Sequence, residues 1–199
     1  KICFITAVHG SAYSFLRDHM AALQKEYKVH YVCNEPDINN IKVPNDGYHC
    51  VDIQRKISIV KDLKALWQLY RYFRKERFDA VHSVTPKAGL LTSIAAFFAR
   101  VPLRIHIYTG QVWANKKGFM RFLLKTMDRM IALFDNQILV DGEGQRQFLI
   151  KNKVVSEKNS NVLGSGSICG VNLERFNPSV EVRTEKRKEL GIDDSKIVF

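Results

Sequence analysis

The chain has 199 residues, 46% of them hydrophobic, with 5 prolines and 11 glycines, which excludes a disordered, collagen-like or low-complexity chain. A chain of this length buries roughly 70% of its unfolded surface, so it needs neither disulfide nor metal to hold a core. With 31 Lys and Arg against 20 Asp and Glu the net charge is +11, which favours an anionic partner: nucleic acid, a phosphate-bearing substrate or an acidic membrane face.

Short apolar runs alternate with helical stretches along the chain. Strands are predicted at residues 2–7, 28–33, 48–52, 80–84, 104–108, 137–140 and 161–163. They are rich in Val, Ile and Tyr without strict alternation, as strands buried on both faces are. After the first strand, Phe15, Leu16, Met20 and Leu23 recur at helical spacing. Ile59, Leu63, Leu66, Trp67, Tyr70 and Phe73 do the same, with Lys61, Lys64, Arg71, Arg74 and Lys75 on other faces. Residues 89–99 are nearly all apolar and predict a buried helix, and residues 116–134 predict an amphipathic one. Alternating strands and helices imply an α/β fold: a Rossmann-like parallel sheet with right-handed crossovers and helices on both faces. Beyond Phe176 the composition turns polar and predicts one exposed helix ended by Gly191. Residues 1–176 therefore read as one domain. Residues 177–199 read as a linker, and their apolar end, KIVF, as the first strand of a further domain.

No run approaches the ~20 apolar residues that a spanning helix needs, and the N-terminus reads as a strand rather than a signal peptide. Cys3, Cys33, Cys50 and Cys169 show no CxxC spacing. Neither a metal site nor a bound cofactor is expected, and a reduced, cytoplasmic chain is the default.

In doubly wound sheets, ligands bind beyond the carboxyl ends of the strands, which singles out four loops. In the first, His9, Gly10 and Ser11 follow the first strand. Gly10 permits a tight turn, Ser11 can cap the next helix, and His9 either touches substrate or is simply solvated. In the second, Thr85 is placed to cap a helix with Pro86 in its first turn. Lys87 then adds a positive charge to a helix end that is already positive, which is unfavourable unless an anion is nearby. The alternative is a tolerated surface lysine. The third loop carries Thr109, Gly110, Gln111 and Trp113, the last a ligand contact or a cover for the core. In the fourth, Glu143 could accept hydrogen bonds from sugar hydroxyls, or charge-match the helix that it opens.

Gly164–Gly170 is spaced GxGxxxG and follows the last strand rather than the first, so it is not a dinucleotide fingerprint, and no P-loop occurs. Lys117, Arg121, Lys125 and Arg129 recur every four residues and predict a basic stripe that could dock on anionic lipid. The other reading is a packed helix with a solvated stripe. No nucleic-acid-reading motif is present, so lipid and phosphate account better for the charge.

Three stretches together resemble the N-terminal half of family 4 glycosyltransferases, retaining enzymes of the GT-B fold. FDAVHSVTPKAGLLTSIAAFFARVPLRIHIYTG is similar to the family's strand, His-x-x-x-Pro-Lys, small-residue helix and Val-Pro block. DNQILVDGEGQRQFLI is similar to its strand, polar turn and Leu-ending helix. Gly170, Val171, Asn172, Phe176 and Pro178 match its Gly-Val-(Asp/Asn)-x-x-x-Phe-x-Pro signature. The resemblance implies one half of a two-domain architecture, the half that holds the acceptor. The nucleotide-sugar donor and the family's Glu-x7-Glu motif would belong to a second domain. It is nearest to bacterial enzymes that build capsule, O-antigen or glycan on a polyprenyl-diphosphate lipid at the inner face of the membrane. Two departures stand out: only Gly10 occupies the usual Gly-rich first loop, and Thr109-Gly110 stands where relatives carry His-Gly. A histidine acting near the sugar would then be His9 or His82. The rivals are a sugar-nucleotide epimerase of the same fold and a non-catalytic lipid- or anion-binding module.

Overall fold

Seven strands form one parallel sheet in the computed structural model, which describes residues 1–54, 57–174 and 176–198. They are β1 (Ile2–Ile5), β2 (Val29–Cys33), β3 (Gly47–Cys50), β4 (Ala80–Val84), β5 (Leu103–Tyr108), β6 (Gln137–Val140) and β7 (Ser160–Val162), in the spatial order β3-β2-β1-β4-β5-β6-β7. All seven predicted strands are present, with ends shifted by at most two residues. The short helices α1 (His9–Phe15) and α2 (Arg17–Gln24) lead from β1 to β2. The longer helices α3 (Ile59–Glu76), α4 (Pro86–Ala99) and α5 (Gly118–Phe134) connect β3, β4, β5 and β6 in turn, and α6 (Glu143–Lys151) lies between β6 and β7.

Side chains alternate across the sheet and so divide the core into two faces. Cys3, Ile5, Val32 and Val81 pack with Ala65, Leu69 and Phe73 of α3 and with Ala88, Leu91 and Ala95 of α4. Phe4, Val29, Tyr31 and Cys33 pack on the other face with Ala12, Leu16 and Met20 of α1 and α2. Each fully buried side chain of this size contributes about 1.5–3 kcal/mol. β1 pairs with both β2 and β4, so the connections change face at β1. That switch opens a crevice at the carboxyl ends of β1 and β4.

The predicted buried helix is α4, and small residues let it approach the sheet closely. A Cβ on Gly89 would lie 2.4 Å from His106 Cε1 and 3.1 Å from Ile131 Cδ1. His106 is fixed in turn by a 2.8 Å bond between its Nδ1 and Ser83 Oγ. Burial lowers the His106 pKa to about 3 and keeps the ring neutral. Ser93 Oγ lies 2.7 Å from both Gly89 O and Asp135 Oδ2 and so stays partnered, whereas Thr92 Oγ1 on the same helix is buried without a hydrogen-bond partner among the described residues.

The described residues fall into two units, Lys1–Cys169 and Gly170–Phe199. The second contains α7 (Val180–Glu189), the exposed helix expected from the polar run. Ser179 Oγ accepts the Val182 N–H, Glu181 sits in the first turn, and Lys186, Arg187 and Lys188 sit in the last, all complementary to the helix dipole. Gly191 follows at φ +64°. Lys196–Val198 are not in a strand, and Phe199, the last residue of the expected KIVF strand, lies outside the described residues.

Gly89→Ala should destabilise the fold by about 1–3 kcal/mol in urea unfolding, although Ala is the better helix former, because the contact with His106 overrides propensity. Gly144→Ala in α6, where a Cβ meets nothing within 4 Å, should be neutral or stabilising by up to about 1 kcal/mol. Equal effects at the two glycines would remove close packing as the reason for Gly89.

Candidate functional site

All strands are parallel, so the loops after β1, β4, β5, β6 and β7 share one edge of the sheet. In the first loop the structure corrects two expectations. Helix α1 starts at His9, and Val8 is its N-cap without a side-chain bond, so Ser11 is a helical residue and caps nothing. Gly10 has no left-handed φ and makes no tight turn; a Cβ there would meet open space. His9 lies between the Tyr13 and Tyr31 rings, and its Nε2 accepts the Lys42 backbone N–H at 3.3 Å. That bond assigns the ring proton to Nδ1, which is buried and has no hydrogen-bond partner among the described residues. Partial burial lowers the His9 pKa and favours the neutral ring.

Ser11, Thr85 and Lys87 meet in one cavity of about 440 Å³ at the carboxyl ends of β1, β4 and β5. Its walls are Ala7 and Val8 after β1, Leu90 and Leu91 of α4, Val112 and Trp113 after β5, and Leu124, Met127 and Asp128 of α5. Thr85 occupies the N-cap position of α4, yet its hydroxyl caps nothing. Its backbone sits at φ +76°, ψ 140°, a strained conformation for a β-branched residue. Its Oγ1 is buried without a partner among the described residues. A strained backbone that holds an unmatched hydroxyl against a cavity is the arrangement of a ligand contact.

The anion that Lys87 needs is already present. Asp62, from the first turn of α3, pairs with Lys87 at 2.6 Å, and both side chains are largely buried. Trp113 covers the core and lines the cavity as well. It is 1% exposed, stacks on Phe148 with ring centroids 5.3 Å apart, and donates its indole N–H to Asp128 Oδ2 at 2.7 Å. Burial pushes the Asp128 carboxyl up to about 6, with the Trp113 bond acting the other way.

The remaining expected residues lie along the same edge but outside this cavity. Thr109 and Gly110 are exposed just beyond β5. The Gln145 amide, turned to satisfy both its ends, accepts from Gly110 N at 3.0 Å and from Gln111 Nε2 at 2.8 Å, and donates to Tyr108 O at 3.3 Å. Glu143 opens α6 and bonds to Gln147 at 2.7 Å and Arg146 at 3.0 Å. Those two bonds, Gln147 first, hold its carboxyl below the usual range, so it is an ionised acceptor already engaged on its own helix. His82 stands mid-strand in β4, 5.2 Å from the Phe4 ring, and burial lowers its pKa to about 4. The strand continues to Val84, so His82 does not stand at the loop. The glycine run after β7 closes on the turn after β6. Gly166 adopts φ +100°, a Cβ there would lie 2.8 Å from Asp141 O, and Ser167 N donates to that same oxygen at 2.6 Å.

The basic stripe of α5 also departs from expectation. Arg121 donates to Ala114 O at 2.8 Å and lies over the Trp113 ring. Lys125 donates to Asn152 Oδ1 at 3.2 Å, and Arg129 donates to Lys153 O at 3.0 Å. Lys125 and Arg129 therefore fasten α5 to the C-terminal end of α6, and Arg121 fastens it to the loop after β5; Lys117, at the N-cap, is exposed. Asp62 and Asp128 are the site residues that sequence reasoning missed. Their one signal was a lone acid on an otherwise apolar helix face, Asp128 sharing its face with Leu124 and Ile131. Among the described residues no three His, Cys, Asp or Glu side chains gather to hold a metal ion, and no helix is long and apolar enough to cross a membrane.

The family model for the glycosyl transferase 4-like domain matches residues 15–158. The capsular polysaccharide biosynthesis glycosyltransferase CapM of Staphylococcus aureus is 32% identical over 177 residues, 88% of this chain and 46% of that protein. The UDP-Gal:α-D-GlcNAc-diphosphoundecaprenol α-1,3-galactosyltransferase of Escherichia coli is 26% identical over 178 residues, 88% of this chain and 45% of that protein. The structure of UDP-N-acetylglucosamine 2-epimerase from Rickettsia bellii superposes with a TM-score of 0.70 at 16% identity, covering 96% of this chain and 51% of that one, a likeness of fold alone. The chain spans about half the length of the curated relatives it matches. It belongs to the glycosyl transferase 4-like family.

Two substitutions test the cavity wall. Because the Asp128 pKa is raised by folding, its contribution to stability is fully present below about pH 4 and is lost as pH rises through about 6. Asp128→Asn keeps an acceptor for Trp113, so it should gain on the order of 2 kcal/mol over the native chain between pH 4 and pH 8, read by unfolding at both pH values. A pH-independent difference would place the Asp128 carboxyl in water. Thr85→Gly should stabilise the chain by about 1 kcal/mol by relieving the left-handed backbone, and a loss of stability would show that Thr85 is not strained.

Proposed function

We propose that this chain forms the acceptor-binding half of a retaining glycosyltransferase, which moves a sugar from a nucleotide-sugar donor to a glycan or polyprenyl-diphosphate-linked acceptor. The observation that carries this reading is the convergence of Ser11, strained Thr85 and the Asp62–Lys87 pair on one apolar-walled cavity at the substrate edge of the sheet. An acceptor with a polar head and a hydrocarbon tail matches such a wall. The family membership and the capsule and lipid-linked relatives support the same substrate class.

The acceptor head lies across the loops after β1, β4, β5 and β6. Thr85 Oγ1 and the first turn of α4 face its phosphate, with Lys87 recruited from Asp62. His9, Gly10 and Ser11 face the sugars, and Thr109, Gly110, Gln111 and Glu143 bind hydroxyls further along the edge. The chemistry is same-face substitution at the donor anomeric carbon. The acceptor oxygen forms the new bond, the nucleoside diphosphate leaves, and the hydroxyl proton passes to that leaving group. What these residues supply is position: an acceptor oxygen held still at the donor carbon lowers the entropic part of the barrier. An epimerase would need an acid and a base across a bound sugar, and among the described residues no histidine lines the cavity.

The site of action is the anionic cytoplasmic face of the membrane. Exposed Ile59, Val60, Leu63 and Trp67 on α3 stand among Lys61, Lys64 and Arg71, all exposed. Phe119, Met120 and Phe122 on α5 follow Lys116 and Lys117 in the same way. Apolar side chains bracketed by lysines are what a peripheral helix inserts into a headgroup region.

The full-length protein should transfer sugar from at least one UDP-sugar to a prenyl-diphosphate-linked glycan, read by mass spectrometry. Thr85→Val should raise the acceptor KM at least tenfold. Failure across a panel of prenyl-linked acceptors, with transfer to none, would overturn the acceptor class. In vesicle co-sedimentation, Leu63→Glu with Trp67→Glu should cut binding to anionic vesicles at least tenfold, whereas Lys125→Ala should leave it unchanged. Equal binding to neutral and anionic vesicles would remove the electrostatic part of the claim.

A further inference from the structure

The cavity is made almost wholly of hydrocarbon. Leu90, Leu91, Leu124, Met127 and Val112 all line it. The charges it contains are already matched: Asp62 with Lys87, and Asp128 with the Trp113 indole N–H. A sugar buried in the apolar body of the cavity would strand its hydroxyls, and a diphosphate there would lack the polar partners that Thr85 and Lys87 offer at its inner corner. A hydrocarbon incurs neither cost. At about 440 Å³ the space is in the usual range for a small ligand, about 300–1,000 Å³. It has room for a few isoprene units and not for a whole polyprenyl chain.

The rim shows where the remainder would leave. Ile57 and Val112 line the cavity yet are each more than half exposed. On α5, Met120 precedes Leu124 by four residues and Met127 by seven, so it continues their face one turn outward, and it is exposed. On α3, exposed Ile59 stands one turn before Asp62. Thr85 Oγ1, a buried hydroxyl on the wall without a hydrogen-bond partner among the described residues, lies at the strand ends. The cavity thus has a polar inner corner, an apolar body and an apolar exit.

Building on the acceptor reading above, we propose that this cavity holds the first isoprene units of the acceptor's polyprenyl chain, with the diphosphate at Thr85 and the rest of the chain passing between Ile57 and Val112 toward the bilayer. The enzyme then recognises the lipid itself as well as the glycan it carries. Each buried methylene contributes roughly fourfold in affinity, so two isoprene units suffice for a measurable preference.

The test is calorimetric titration of the full-length protein, without vesicles or detergent, with inorganic diphosphate and with geranyl diphosphate. Geranyl diphosphate should bind at least tenfold more tightly. Met127→Trp, which fills the cavity, and Val112→Asp, which puts a charge on its exposed rim, should each abolish that preference. Val112→Asp lies on the surface, so it reports even if the larger side chain unfolds the protein. Phe98→Asp, on an exposed residue at the far end of α4, should leave the preference intact. Equal affinity for the two compounds, or a preference that survives both cavity variants, overturns the proposal. Sugar transfer to prenyl-linked glycans without any prenyl preference would remove the cavity assignment and leave the acceptor reading standing. A prenyl preference with no transfer would do the reverse.

Discussion

The approach of α4 to the sheet, backbone against the His106 ring at Gly89, is the constraint from which the carboxyl edge follows. Three features depend on it. The helix can lie this close only because residue 89 has no side chain and because Ser83 holds the imidazole in place. A helix held this deep must leave β4 abruptly, and the left-handed backbone of Thr85, followed by Pro86, makes that turn. α3 and α5 then pack against α4 from either side, and the gap between the starts of α3 and α4 and the middle of α5 is the cavity. Strain at Thr85 and an apolar pocket beside it are consequences of one packing decision. The strain persists because the helix it opens is buried along most of its length.

Charge is used differently inside and outside. The net +11 suggests a uniformly basic surface, but several cations are committed to structure. Lys87 neutralises Asp62, Arg121 donates to Ala114 O in the loop after β5, and Lys125 and Arg129 bind amide and carbonyl oxygens at the end of α6. Such bonds to a helix C-terminus satisfy acceptors that the helix cannot satisfy itself. Among the exposed cations, Lys61, Lys64 and Arg71 on α3 and Lys116 and Lys117 at the start of α5 stand beside exposed apolar residues. The long-range field and the committed charges therefore do separate jobs.

The architecture was legible because strand-by-strand apolar runs and helical periodicity are local signals, and all seven strands carry them. The loops of the candidate site were legible for a related reason: a parallel sheet puts every carboxyl end on one edge. The details at those ends were not. Ser11 and Thr85 have the composition of caps, yet α1 begins two residues before Ser11, and the backbone of Thr85 turns its hydroxyl away from the helix. The stripe on α5 was read from spacing alone, which gives a face but not what the face meets. Its partners, Asn152 and Lys153, are more than 20 residues away. Asp62 and Asp128 escaped for the same reason, since each matters through a residue on another element: Lys87 on α4, and Trp113 in the loop after β5.

The exposed apolar residues and the cavity are best understood as one surface. A soluble face that presents Ile59, Val60, Leu63 and Trp67 within two turns is a liability unless something covers it. If it covered only a bilayer, there would be no reason for an apolar cavity behind it. If the cavity took only a soluble ligand, there would be no reason for its rim to continue into exposed Ile57 and Val112. The acceptor proposed above, embedded in the bilayer by its own tail, would account for both, because that tail need never meet water between membrane and site. On that proposal the polar head would arrive at the strand ends already oriented by its tail, and part of the entropy of positioning would be removed before the donor binds.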